Sequence, residues 1–275
     1  MKTFKKILCL VLALCLVCSF AACGADKKET DKGTETGKEK LVMATNAAFP
    51  PYEFVDDNNE YAGIDVEIAE LIAEELGMEL EVADIDFGAI TGGVQTGKYD
   101  FGMAGLTVTD ERKESVDFTI SYANGIQSVI VAEDSKYTSF EDFYTGFDDE
   151  GNPNGVKDGI KIGVQQDTTG DIYSSSDPEK WGFGEENVIR YKTGADAVQA
   201  LKTGKVAAVI IDNEPAKSFV DSNDGLKILE GEYTNEDYAI CVSKDNKELL
   251  DKINKALQKL IDNGEVQKII DKYIK

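Results

Sequence analysis

The chain has no histidine, and its 275 residues include only five cysteines, five prolines and one tryptophan. Without an imidazole, the His-based catalytic triads and most zinc sites are excluded. Cys9, Cys15 and Cys18 lie in the leading apolar segment and Cys23 just behind it, so Cys241 remains alone. An intrachain disulfide framework is therefore excluded too. The strand-like neighbours Tyr238-Ala239-Ile240-Cys241-Val242 predict a buried, inert thiol. Basic residues are also few, 29 Lys and Arg against 52 Asp and Glu, for a formal charge of −23. That balance argues against nucleic acid as a partner, since phosphate contacts need basic patches. It predicts solubility and says little about any small ligand.

The first residues are a targeting segment. Lys2, Lys5 and Lys6 precede residues 7–22, which are apolar apart from Ser19. A spanning helix needs about 20 apolar residues, and this shorter stretch ends in small residues, as a cleavable signal does. Removing residues 1–22 takes away three lysines and no acids, which deepens the formal charge from −23 to −26. Phe20-Ala21-Ala22-Cys23 reads either as a bacterial lipobox, making Cys23 an acylated N-terminus, or as an ordinary signal followed by an incidental cysteine. The lipobox is the reading carried forward here. It places the protein on the extracytoplasmic face of a bacterial cell membrane, tied down by lipid. Residues 24–39 contain no large apolar side chain and cannot order themselves. A flexible tether of that length spans roughly 20–25 Å.

From Lys40 onward short apolar strands alternate with helical segments, the pattern of an α/β fold. Strands are predicted over 41–45, 78–83, 99–104, 160–164 and 206–211, with a loop over 46–54 around Pro50 and Pro51. Ile68, Leu71, Ile72 and Leu76 recur at helical spacing, which predicts a helix over 65–76 capped by Asp65 and stopped by Gly77. A short helix holds Ile90 and Val94 and ends at Gly97, and another covers 195–201. Two amphipathic closing helices cover 249–261 and 266–274, divided at Asn263-Gly264. One echo is more specific: Gln95-Thr96-Gly97-Lys98 and Lys202-Thr203-Gly204-Lys205 each precede a buried strand. Aligning Lys98 with Lys205 sets Gly105 opposite Asp212. Two similar halves imply two lobes with a cleft between them, because ligands bind beyond the carboxyl ends of strands in open α/β sheets.

Residues 102–112 read GMAGLTVTDER, a buried strand ending in small residues, then Thr107 and an acidic turn carrying Arg112. Arginine offers a planar fork of donors that matches a carboxylate. Nothing in the run supplies a nucleophile, so it argues for binding rather than catalysis. No metal or cofactor motif is found.

At this point the chain resembles the bacterial extracellular solute-binding proteins of family 3, the polar amino-acid receptors of ABC importers. The resemblance rests on Asn46-Ala47-Ala48-Phe49-Pro50-Pro51-Tyr52-Glu53-Phe54, Gly63-Ile64-Asp65-Val66, residues 106–112, and Asp212 with Glu214 and Pro215, in that order. It implies a two-lobed, type II periplasmic-binding-protein-like fold. Lobe one would comprise 40–121 and 239–275, lobe two 127–233, and the hinge 122–126 and 234–238. It also implies a monomer that closes on an L-amino acid and docks on a permease served by an ATPase.

The roles follow from the resemblance. Arg112 would take the α-carboxylate, helped by Thr107 and by Thr169 at a helix N-terminus, with simple capping by Thr168 and Thr169 as the lesser alternative. Asp212, the Gly105 carbonyl and the Thr107 hydroxyl would accept the ammonium, and Ala104 adds a backbone contact. Phe49 and Phe87 would sandwich the side chain or simply pack in the core. Tyr52 and Phe54 are assigned to packing. Receptors of this group for cationic ligands often carry an acid where this chain has Asn46, so a polar uncharged ligand is favoured. Glu53 keeps a basic one open. Gln165 would offer amide contacts. Trp181, in a Gly- and Glu-rich insertion, receives no role. Two rivals remain: a dehydratase on the same fold, for which only Glu53 or Asp212 could act as acid or base, and a sensory domain with a separate signalling partner.

Overall fold

The computed structural model describes residues 38–231 and 234–275. The signal segment, Cys23 and the tether as far as residue 37 lie outside the described residues, as do positions 232 and 233. Among the described residues no helix is long and apolar enough to cross a membrane.

β1 (Lys40–Thr45) leads into three short strands, β2 (Ala48–Phe49), β3 (Glu53–Val55) and β4 (Tyr61–Ala62), which form a small antiparallel sheet. The loop expected over 46–54 is thus partly a hairpin, with Phe49 paired to Glu53. α1 (Ile64–Leu76) follows and ends at Gly77, whose φ of 73° is the left-handed conformation of a helix stop. Its start differs from expectation. Gly63 is the N-cap, no side chain caps the helix, and Asp65 sits inside the first turn. The Asp65 carboxylate instead accepts from the Gly105 N–H and the Tyr122 hydroxyl, because a buried charge needs strong donors more than a helix end needs a cap.

β5 (Glu79–Asp84), α2 (Ile90–Gln95), β6 (Phe101–Gly102), α3 (Asp110–Ser115) and β7 (Val116–Gly125) complete the first pass. A second begins with β8 (Gln127–Ala132), β9 (Ile162–Gln165), α4 (Thr169–Ser175) and β10 (Val188–Tyr191). It continues through α5 (Gly194–Lys202), β11 (Ala208–Asp212), α6 (Asn213–Asp221) and β12 (Leu226–Ile228). β13 (Glu236–Ser243) then returns to the first sheet, and α7 (Lys247–Asp262) and α8 (Glu265–Tyr273) close the chain on it. On α7 the buried residues Ile253, Ala256, Leu257 and Leu260 form one apolar stripe.

The two five-stranded sheets run β5-β1-β6-β13-β7 and β10-β9-β11-β8-β12. In each, the first three strands run parallel, the fourth runs against them and the fifth against the fourth, so the lobes share one topology. The sequence echo has a structural counterpart. Thr96 and Thr203 each end a helix and donate a hydroxyl back one turn, to the carbonyls of Gly92 and Gln199, both at 3.0 Å. The following Gly97 and Gly204 take φ of 72° and 70°. Both units then enter the third strand of their sheet.

Ile126 alone separates β7 from β8. Glu236, Asp237 and Tyr238 pair with Gly125, Asn124 and Ala123, so the two segments connecting the lobes lie side by side. Cys241 is fully buried and unpaired, and burial lifts its thiol to about 12, as expected of an inert core cysteine. Gly102 is needed beside it, since a Cβ there would fall 2.7 Å from the Cys241 Sγ.

Candidate functional site

The cavity between the lobes is lined from the first by Asn46, Phe49, Glu53, Phe87, Ala104, Gly105, Thr107 and Arg112. The second lobe adds Gln165, Thr168, Thr169 and Asp212. The fold thus gathers all eleven sequence-expected residues, and Glu53 with them. Their side chains close on one another and leave a cavity of about 10 Å³, roughly the room one water needs.

Arg112 lies in the first turn of α3, where the Thr109 hydroxyl accepts its N–H at 3.1 Å. Its guanidinium sits over the Phe87 ring, 5.3 Å from the centroid. Nη1 donates to the Thr107 carbonyl at 2.8 Å and Nη2 to the Asp167 carbonyl at 3.1 Å. The fork that could hold a carboxylate therefore grips one carbonyl from each lobe. Burial pulls the Arg112 pKa down, and the charge of Glu236 pushes back.

Glu236 is a feature that sequence reasoning missed. It is buried, and its Oε2 accepts from the Thr107 and Thr169 hydroxyls at 2.9 and 3.1 Å and from Gln127 Nε2 at 3.3 Å. The two threonines expected to serve a ligand are thus joined through an acid on β13, in one of the two segments connecting the lobes. An acid two residues before Tyr238, in a segment already expected to be hinge, was the available signal.

Asp212 ends β11 and stands at the N-cap of α6 without a side-chain cap bond. Its Oδ1 accepts from the Tyr238 hydroxyl, and burial together with the nearby Glu236 charge raises its pKa to about 7. Burial likewise lifts Asp65 to about 6. Glu53 is fully buried, and burial first and the Asp65 charge second push it well above the usual carboxylate range. Neither Glu53 oxygen nor the Asp65 Oδ1 meets a protein donor. A proton retained on Glu53 and shared with Asp65 relieves both groups.

The remaining residues divide by contact. Asn46 donates to the Ile85 carbonyl at 2.8 Å and accepts from Gln165 Nε2 at 2.9 Å, tying the lobes together. Thr168 caps α4, accepting from the Asp171 N–H at 3.3 Å, while its hydroxyl donates to the Gln165 carbonyl at 2.8 Å. Phe49 is 7% exposed, lines the cavity and stacks on Tyr52, so it is both wall and core. Tyr52 and Phe54 pack against Tyr238 and Tyr273 respectively. Gln166 donates to Asp167 Oδ2 at 3.2 Å and lines the outer mouth of the cleft rather than this cavity. Ala104 and Gly105 supply backbone. Gly105 has φ of 51°, and a Cβ there would stand 3.0 Å from Phe49 Cε1, so side chains are excluded twice over.

Among the described residues no group of three or more His, Cys, Asp or Glu is arranged to hold a metal ion.

The sequence model of the bacterial extracellular solute-binding proteins, family 3, matches residues 41–275. The arginine-binding extracellular protein ArtP of Bacillus subtilis (strain 168) is 34% identical over 272 residues, covering 98% of each chain. A solved ancestral arginine-binding protein bound to arginine is 35% identical, with a TM-score of 0.75 over 86% of this chain and 99% of the other. An ancestral arginine-binding protein bound to glutamine is 34% identical, with a TM-score of 0.75 over 86% and 98%.

Proposed function

The chain belongs to the bacterial extracellular solute-binding proteins, family 3, and from that premise we propose that it captures an L-amino acid with a cationic side chain for an ABC importer. The observation that carries this reading is electrostatic. Of four buried carboxyl groups, Glu53 and Asp212 line the cavity and Asp65 and Glu236 stand behind it, bonded to Gly105 and to Thr107 and Thr169, and Arg112 is the one cation in its lining. A ligand with two positive groups and one negative group offsets that imbalance better than a neutral zwitterion, its side-chain cation displacing the proton that Glu53 holds in the empty site. The Asn46 amide favours an uncharged side chain, but Glu53 lines the same cavity with both oxygens free of protein donors.

In this reading Arg112 exchanges the Thr107 and Asp167 carbonyls for the ligand α-carboxylate. Asp212 and the Gly105 carbonyl accept the ammonium, and Phe49 and Phe87 flank the aliphatic stem. Thr107, Thr169 and Thr168 orient the carboxylate end, and Ala104 lends backbone. Contacts from both lobes favour the closed form, with hinge motion at 122–126 and 234–238. Cys23 carries the lipid that holds the receptor on the outer face of the membrane beside its permease and ATPase. The site binds without turnover, since the arrangement presents carboxyls and a guanidinium but no activated nucleophile.

A second reading, an amide side chain such as that of glutamine, is favoured by the Asn46–Gln165 amide pair. Calorimetry separates the two. L-Arginine or L-lysine is expected to bind below about 100 μM, or −5.5 kcal/mol, and L-glutamine at least tenfold more weakly. Reversal of that order establishes the amide reading, and no binding by any amino acid overturns both.

A further inference from the structure

Gly88 of the first lobe and Asp167 of the second meet at the outer mouth of the cleft. Gly88 is the middle residue of a single 3-10 turn, Phe87–Ala89, that leads from β5 into α2. A Cβ built on it would overlap Asp167 Oδ2 and fall 2.9 Å from the Asp167 Cγ and 3.2 Å from its Cβ. Turning the carboxylate aside relieves the first two contacts but not the third, which the backbone fixes. Gly88 does not have a positive φ, so its own turn makes no demand for glycine. On α2, Gly92 has nothing within 4 Å of the same built atom. What calls for glycine at 88 is the residue opposite it.

Asp167 is pinned from its own side. Its φ of 64° is a left-handed conformation that aspartate tolerates better than most side chains. Its N–H donates to Asp171 Oδ2 at 3.0 Å, and Asp171 is paired with Arg190 at 2.8 Å. Neighbouring contacts cross the cleft. Arg112 Nη2 donates to the Asp167 carbonyl at 3.1 Å, Gln165 Nε2 to Asn46 Oδ1 at 2.9 Å, and Lys192 pairs with Asp86 at 3.3 Å. Both members of the Lys192–Asp86 pair are exposed, so that pair contributes little. The weight falls on the turn over 165–168 seating against bare backbone.

We propose that this seating is the latch of the cleft: Asp167 closes onto the uncovered backbone of Gly88, and the residue at 88 sets how long a bound ligand is retained. The contact exists only with the lobes together, so it acts on release and not on encounter. Retention rests on the reading of the cleft as an amino-acid site, whereas the meeting of the two residues does not.

Cross-linking tests the meeting without ligand. The Gly88→Cys/Asp167→Cys pair, made in the full chain and oxidised, should form a disulfide, since the 3.2 Å between Cβ positions is near the roughly 3.5–4.5 Å that such a bond spans. Gly92→Cys/Asp167→Cys should link far more slowly, and the buried Cys241 does not compete. Linked peptides are identified by mass, and equal linking by the two pairs overturns the latch. Stopped-flow release of whichever of L-arginine and L-glutamine binds more tightly tests retention. Gly88→Ala should speed release about 5–100-fold, as overpacking of a close contact does, with association within about threefold of the parent. Asp167→Gly suits the positive φ, and in that background Gly88→Ala should change release less than about threefold. Gly92→Ala should have no effect in either background. Equal effects of Gly88→Ala in both backgrounds, or none in the parent, overturn the latch. The disulfide forming in a protein that binds no amino acid supports the latch and overturns the amino-acid reading alone.

Discussion

Tyr238 donates its phenolic hydrogen to Asp212, and both groups are buried. The bond links β13 to the end of β11, across the two sheets. A donor to a carboxylate favours its ionised form. Tyr238 thus opposes the burial that raises the Asp212 pKa toward neutrality.

Replacing that donor gives a directional test. Tyr238→Phe should raise the Asp212 pKa further above about 7 and so shift the pH midpoint of amino-acid affinity upward. At neutral pH the affinity should fall several-fold, while Asp212→Asn should lose about 100-fold, as for a buried charge partner removed. Calorimetric titrations between pH 6 and about 9 read both effects. An unchanged midpoint in Tyr238→Phe contradicts the coupling.

Stability should depend on pH with a definite sign. Burial raises Asp65 from 3.8 to about 6 and Glu53 well above its ordinary value, so the folded chain holds protons that the unfolded chain releases. Stability from these groups is present below the unfolded pKa and lost as pH rises through the folded one. The ligand-free protein should therefore need more urea to unfold near pH 5 than near pH 8, by roughly one pKa unit's worth of free energy or more, about 1.4 kcal/mol. Asp65→Asn should flatten the slope between pH 4 and about 6. A midpoint that climbs with pH over this range rejects the assignment.

Glu53 should set side-chain charge preference. Glu53→Gln is isosteric and keeps hydrogen-bonding capacity, yet removes the acid. Affinity for L-arginine should drop about 10–100-fold, in keeping with loss of a buried charged partner. Affinity for L-glutamine should change less than threefold, by roughly the 0.5 kcal/mol expected where no interaction is lost. Equal losses for the two ligands would assign Glu53 a structural role only.

The geometry of Arg112 should matter beyond its charge. Arg112→Lys keeps the charge but loses the planar fork that grips Thr107 and Asp167. A loss of about 2–3 kcal/mol in amino-acid binding is expected, with the unfolding midpoint little changed. Micromolar binding in this variant points to another carboxylate site.

Much of this architecture was legible in the chain. The strand and helix order, the Gly77 stop, the matched Thr-Gly-Lys turns and the eleven cavity residues all followed from periodicity, capping chemistry and resemblance to a family. These signals survive because each is local, or is a motif whose members lie close together. Asp65 was misread for the same reason. Its position before an apolar stripe looks like a cap, while its true partners, Gly105 and Tyr122, are 40 and 57 residues away. Glu236 was missed because nothing beside it in sequence reveals that Thr107 and Thr169 will donate to it.

By itself, then, the sequence determined an α/β chain of two similar halves behind an export signal and without histidine chemistry, and its resemblance to a family implied a receptor with Arg112 and Asp212 in one cleft. Composition and short-range patterning carry that information, since a helix stop or a buried strand depends on its own few residues. Only the tertiary structure decided the charge of the site. It brought Glu53, Asp65, Asp212 and Glu236 out of water around one guanidinium. A carboxyl group's proton affinity depends on what surrounds it after folding, and for Glu53, Asp65 and Asp212 the surroundings come from distant parts of the chain.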